Sequence, residues 1–118
     1  MKQKFIVWLE DVGIRDVSLV GGKNASLGEM IRELGPKGVR VPGGFVVTAS
    51  AYRHFLEETG LRKFIHEALR GLNTKNLSDL ARRGRLVRET IKKYEFPADL
   101  KREIVSFYKT MEKRYGAG

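Results

Sequence analysis

The 118-residue chain has no cysteine, which excludes disulfides, thiolate metal sites and a thiol nucleophile together. No run of about 18 apolar residues occurs, so no segment reads as a helix that spans a membrane. Met1-Lys2-Gln3-Lys4-Phe5 precedes only a brief apolar run before Glu10 and Asp11, too little for a signal peptide. A cytoplasmic location is therefore expected. Both histidines are isolated, with no Cys or Asp at ligand spacing from His54 or His66. Neither a metal site nor a catalytic residue is expected within the chain. Acidic residues are also scarce, 14 against 23 Lys and Arg, for a net charge of +9.

What is present suits a globular domain. The apolar fraction of 42% is ordinary, and this length can bury one modest core. The excess charge sits in the second half: residues 1–60 carry 8 basic against 7 acidic side chains, residues 61–118 carry 15 against 7. A basic helical half can bind nucleic acid through its phosphates; it can equally be a solvated surface, or one that faces acidic parts of a larger protein. No nucleic-acid motif occurs and aromatics do not alternate with the cations, so nucleic acid is not the expected partner.

Periodicity divides the chain into short elements. Phe5-Ile6-Val7-Trp8-Leu9 reads as a buried strand and Phe45-Val46-Val47-Thr48 as a second. After Lys23, the apolar positions Leu27, Met30, Ile31 and Leu34 make one helical stripe. Asn24 or Ser26 can cap its start, Ser26 and Glu29 have capping-box spacing, and Gly35-Pro36 ends it. Thr48 is placed to cap a helix over Ala49–Thr59 whose buried face is Tyr52, Phe55 and Leu56. Gly60 separates that helix from one at Leu61–Leu69. Two longer helices follow, with stripes at Leu77, Leu80, Ala81, Gly84, Val87 and Ile91, and at Leu100, Ile104, Phe107, Tyr108, Met111 and Tyr115. Gly116-Ala117-Gly118 reads as a flexible end. The predicted fold is α+β, two or more short strands packed with about five helices.

The most informative stretch is Val20-Gly21-Gly22-Lys23-Asn24-Ala25-Ser26-Leu27-Gly28-Glu29-Met30. Two glycines and a lysine stand where an extended segment becomes an amphipathic helix. Glycine lets backbone N–H groups approach a ligand, the helix start carries partial positive charge, and lysine adds a full one. The combination suits an anion such as a polyphosphate, although Gly-Gly before a helix is also a common turn. The P-loop pattern is not met, because Val17 stands where it needs Gly and Asn24 where it needs Ser or Thr. No dinucleotide-binding glycine fingerprint surrounds Gly21 either.

This stretch, followed by Val41-Pro42-Gly43-Gly44-Phe45-Val46-Val47-Thr48 and Ala51-Tyr52-Arg53-His54-Phe55-Leu56, resembles the beginning of the phosphoenolpyruvate synthase family. That family belongs with the pyruvate phosphate dikinases and rifampin phosphotransferases. The likeness runs from about Trp8 to the C-terminus and is strongest from Val20 to Phe55. The spacer Gly35-Pro36-Lys37-Gly38-Val39-Arg40 is longer than in the dikinases and favours the synthase branch. The resemblance implies residues 1–118 as the first subdomain of an ATP-grasp-like nucleotide-binding domain, with the rest of the enzyme absent. It implies the reaction of ATP, pyruvate and water to phosphoenolpyruvate, AMP and phosphate, by way of a phosphohistidine on a swivelling domain. ATP and Mg2+ are then the expected cofactors, the metal's carboxylates lying outside this chain, and pyruvate a partner only through absent domains. Lys23, Gly21, Gly22 and Asn24 are the implied nucleotide-binding residues, one wall of the ATP site. On this reading the chain alone folds and is inactive. The alternatives are a stand-alone basic helical module for nucleic acid or phosphate, and a regulatory fragment that docks on a dikinase.

Overall fold

The computed structural model describes residues 4–116. The flexible end expected at Gly116-Ala117-Gly118 thus lies, apart from Gly116, outside the described residues. The described chain forms a two-stranded antiparallel sheet and six α-helices, an α+β architecture as expected with one helix more. In order these are β1 (Ile6–Trp8), α1 (Val17–Val20), α2 (Gly22–Leu34), β2 (Phe45–Val47), α3 (Ala49–Thr59), α4 (Leu61–Ala68), α5 (Leu77–Lys92) and α6 (Ala98–Tyr115). Short 3₁₀ turns occupy Leu9–Asp11, Ile14–Asp16 and Gly35–Lys37. The additional helix is α1, where the sequence reading has an extended segment ahead of Gly21. The chain divides into two compact units, one built from the segments up to Arg53 and from Ala98 onward, the other from His54–Pro97.

In the first unit β1 and β2 pair with Ile6 opposite Val47, Val7 opposite Val46 and Trp8 opposite Phe45. Alternation along a strand sends successive side chains to opposite faces. Val7 and Val46 accordingly join Leu9, Val12, Val20 and Ala25 in the core, with Leu19, Leu27 and Ile31 against it. Trp8 and Phe45 meet edge to face at 6.2 Å, and Phe107 of α6 packs on both, 5.1 Å from Trp8 and 5.9 Å from Phe45. Arg114 lies over the Trp8 ring, 4.2 Å from its centroid, and donates a hydrogen bond to Glu10. That bond holds the guanidinium pKa above its ordinary value. The aromatic stripe of α6 is only partly covered: Leu100 is buried, while Tyr108 and Tyr115 are exposed.

The face that α2 buries differs from the predicted stripe. Ala25 and Gly28 are the buried positions and Met30 is exposed. The cause is backbone packing. The turn Leu9–Asp11 and Val12 lie directly on α2, and at Gly28 a Cβ atom would clash with the Val12 carbonyl oxygen. Small residues let the two backbones touch, which turns the helix away from Met30. The ends of α2 also depart from expectation. Gly21 is the N-cap and no side chain caps the helix, so neither Asn24 nor Ser26 does so. At the other end Gly35 keeps helical angles, and the left-handed residue is Gly38 at φ 85°, after the 3₁₀ turn. In α3, Thr48 caps as predicted, accepting the Ala51 N–H at 3.2 Å, but Tyr52 is exposed and Ala51 takes the buried position.

In the second unit α4 packs on α5, and Phe55 meets Phe96 edge to face at 5.8 Å. Asn76 caps α5 by accepting the Asp79 N–H. No residue of α5 is fully buried, and Leu77 is 74% exposed. Its apolar stripe is real, but α4 has 8 residues against 16 in α5 and cannot cover it. Arg83 ties the pair together. It bonds Asp79 at 2.9 Å on its own helix and donates to the carbonyls of Ala68 (3.4 Å) and Arg70 (2.6 Å) at the end of α4. Both charged side chains are about four-fifths covered, 20% and 21% exposed. Arg83→Met should therefore destabilise the protein by about 1–2 kcal/mol; a chemical-denaturation midpoint equal to that of the parent would contradict this.

Candidate functional site

The site grows out of the junction between α1 and α2. The Gly21 N–H closes α1 on the Val17 carbonyl at 2.8 Å, and its φ of 87° is a conformation that side chains resist. The chain turns there and re-enters helix at Gly22. The Gly21 carbonyl accepts from Ala25 at 3.0 Å. The N–H groups of Gly22, Lys23 and Asn24 precede that first intrahelical bond. Like any first-turn donors they have no partner inside the helix, and no side chain caps them.

The surroundings of these donors are open. A Cβ at Gly21 or at Gly22 would meet nothing within 4 Å. Gly21 is needed for its backbone angle, but packing makes no demand for glycine at position 22. Its lack of a side chain leaves the N–H groups bare, which suits close approach of a phosphate. Lys23 is exposed beside them. The Asn24 side chain is half-buried and donates to the Val20 carbonyl at 2.9 Å, stitching α1 to α2. Thus Gly21, Gly22 and Lys23 form an open cationic edge, and Asn24 braces it from within.

Glu29 has a role that spacing did not reveal. Instead of pairing with Ser26, its Oε1 accepts the Ile14 N–H at 2.9 Å and lies 3.9 Å from Arg32. Fifteen residues separate the partners, and no local pattern signals such a bond. Among the described residues no group of three or more His, Cys, Asp or Glu is arranged to hold a metal. No helix there is long and apolar enough to cross a membrane. Many cations of the basic second half are engaged locally: Arg62 with Glu57, Arg70 with Glu67, Arg82 and Arg83 with Asp79, Lys92 with Glu89.

Bare helix-start N–H groups beside two glycines and a lysine are compatible with the class of phosphate- and nucleotide-binding modules. The particular family follows from comparison with known proteins: residues 17–118 match the pyruvate phosphate dikinase AMP/ATP-binding domain, and the chain belongs to that family. It is 51% identical over 110 residues, 93% of its length, to phosphoenolpyruvate synthase of Aquifex aeolicus. The corresponding enzyme of Synechocystis is 47% identical over 94% of the chain, and that of Escherichia coli 40% identical over 87%. The chain spans only 13–14% of the length of these relatives.

Proposed function

We propose that this chain forms the first subdomain of an ATP-grasp-like nucleotide-binding domain and supplies one wall of the ATP site of a phosphoenolpyruvate synthase. The reaction of that enzyme converts ATP, pyruvate and water to phosphoenolpyruvate, AMP and phosphate. The reading is carried by one observation: in a member of the AMP/ATP-binding domain family, the start of α2 beside Lys23 has no side-chain cap and open space around Gly21 and Gly22. In this role the Lys23 ammonium faces the phosphate chain, and Gly21 and Gly22 let it approach the backbone. Phosphoryl transfer depends on positioning and on neutralising phosphate charge, to which a lysine and aligned N–H dipoles contribute. Asn24 acts through the turn it braces. Mg2+ would neutralise the remaining charge from carboxylates outside these residues, and pyruvate would be bound by other domains.

Amide NMR of the 118-residue chain titrated with ATP and Mg2+ tests the reading. Shifts should concentrate on Gly21–Ala25, with a dissociation constant in the millimolar range because only one wall of a site is present. Lys23→Ala should weaken binding roughly tenfold or more, as loss of a charge-assisted contact does, with the melting temperature unchanged. The same substitution can be read as turnover by placing this chain in the Aquifex aeolicus enzyme instead of its matching segment. There it should lower ATP-dependent phosphoenolpyruvate formation about tenfold to a hundredfold. Parent-like binding and turnover in Lys23→Ala would refute the assignment.

A further inference from the structure

We infer that Glu29 is a positioning residue for the Gly21-Gly22-Lys23 site, acting through the backbone of the connector that precedes it; this rests on the nucleotide-site reading above. Glu29 lies on α2 beyond Lys23 and does not face the open edge. Its carboxylate instead holds the Ile14 N–H, 2.9 Å away. From that point a continuous series of short-range bonds runs to the site. The Gly13 N–H is held by the Asp16 carboxylate at 2.9 Å and the Asp16 N–H by the Gly13 carbonyl at 2.9 Å, which fixes the 3₁₀ turn Ile14–Asp16. That turn leads directly into α1, whose Val17 carbonyl takes the Gly21 N–H and whose Val20 carbonyl takes the Asn24 side chain. The start of α2 is thus aimed by a segment that the same helix grips nearly two turns further on.

Gly13 gives an independent sign of this grip. Its backbone is extended, φ −156°, so nothing in its conformation calls for glycine. What calls for it is Glu29: a Cβ at position 13 would clash with the Glu29 Oε1 atom. Because that obstacle is the end of a flexible side chain, Gly13→Ala should push the carboxylate off Ile14 without opening the core. Two substitutions, one at each end of the contact, should therefore have the same consequence. Small displacements of phosphate-binding donors matter because the contacts they make are steep in distance and angle.

The test compares Glu29→Ala, Glu29→Gln and Gly13→Ala in the 118-residue chain, each titrated with ATP and Mg2+ by amide NMR well below its melting temperature. Glutamine retains an acceptor oxygen and should bind ATP within about twofold of the parent; the two alanine variants should bind at least about fivefold more weakly. Hydrogen exchange at the Ile14 amide should rise about tenfold in both alanine variants and stay at the parental rate in Glu29→Gln. Parental affinity in Glu29→Ala would overturn the inference while leaving Lys23 in place. So would equal loss in Glu29→Gln and Glu29→Ala, because the carboxylate charge would then be acting on the ligand directly. Unchanged Ile14 exchange in the alanine variants would also overturn it. Absence of any shift at Gly21–Ala25 in the parent chain would refute the nucleotide reading itself, and this inference with it.

Discussion

Gly28→Ala should cost on the order of 3 kcal/mol of stability, although it replaces a poor helix former by the best one. Alanine within a helix is favoured over glycine by about 1 kcal/mol, so on intrinsic propensity alone the substitution would stabilise α2. The tertiary contact reverses the sign. A Cβ at position 28 would clash with the Val12 carbonyl oxygen and lie 2.8 Å from that of Leu9. Both obstacles are backbone atoms and cannot rotate away. The helix must retreat from the Leu9–Val12 segment, which separates Val12 and Leu9 from Ala25 in the core. Overpacking of this kind costs about 1–3 kcal/mol, occasionally more, and here it must also cancel the propensity gain. Thermal and urea denaturation of the variant measure the effect. A midpoint equal to or above the parent's would show that α2 does not touch this backbone as described.

Thr48→Val should be nearly as damaging, about 3 kcal/mol, with almost no change of shape. Thr48 is 1% exposed and its hydroxyl serves two segments at once. It accepts the Ala51 N–H at the start of α3 and donates to the Lys4 carbonyl at 2.7 Å. The Thr48 N–H also bonds the Phe5 carbonyl at 2.9 Å, prolonging the pairing of β1 with β2. Valine would leave a donor and an acceptor without partners, at about 1–3 kcal/mol for each such group that remains buried. Thr48→Ser keeps both bonds and loses only a methyl group, about 1 kcal/mol. The comparison of the two is decisive. If serine proves worse than valine, methyl packing rather than the hydroxyl secures this corner.

How much of this was legible beforehand depended on sequence separation. The capping of α3 by Thr48 could be read because the bond spans three residues. The second bond of the same hydroxyl, to Lys4, spans 44 residues and has no local signature. Both strands and the five longer helices were visible because their apolar periods are local. The four-residue α1 was not, being too short to show a period. The stripe Leu27, Met30, Ile31 and Leu34 correctly announced a helix, but hydrophobicity alone misplaced its closest contact. Ala25 and Gly28 carry little apolar surface; Gly28 owes its burial to a backbone that comes to meet it, and Ala25 sits in the core beside it. The stripe on α5 announced a buried face that α4 is too short to cover.

The amino-acid sequence by itself determined the α+β composition, the family, and the Gly21-Gly22-Lys23 candidate. These rest on residue types at fixed local spacing, where propensity, periodicity and backbone freedom act within a few residues. Only the tertiary structure decided that Glu29 grips Ile14, that Gly13 and Gly28 are small because another segment lies against them, and that Asn24 is spent on bracing α1. Each of these depends on where the chain returns after a turn. That return is fixed by the joint burial of Val7, Val12, Val20, Ala25 and Val46, a property of the assembled core and of no single segment.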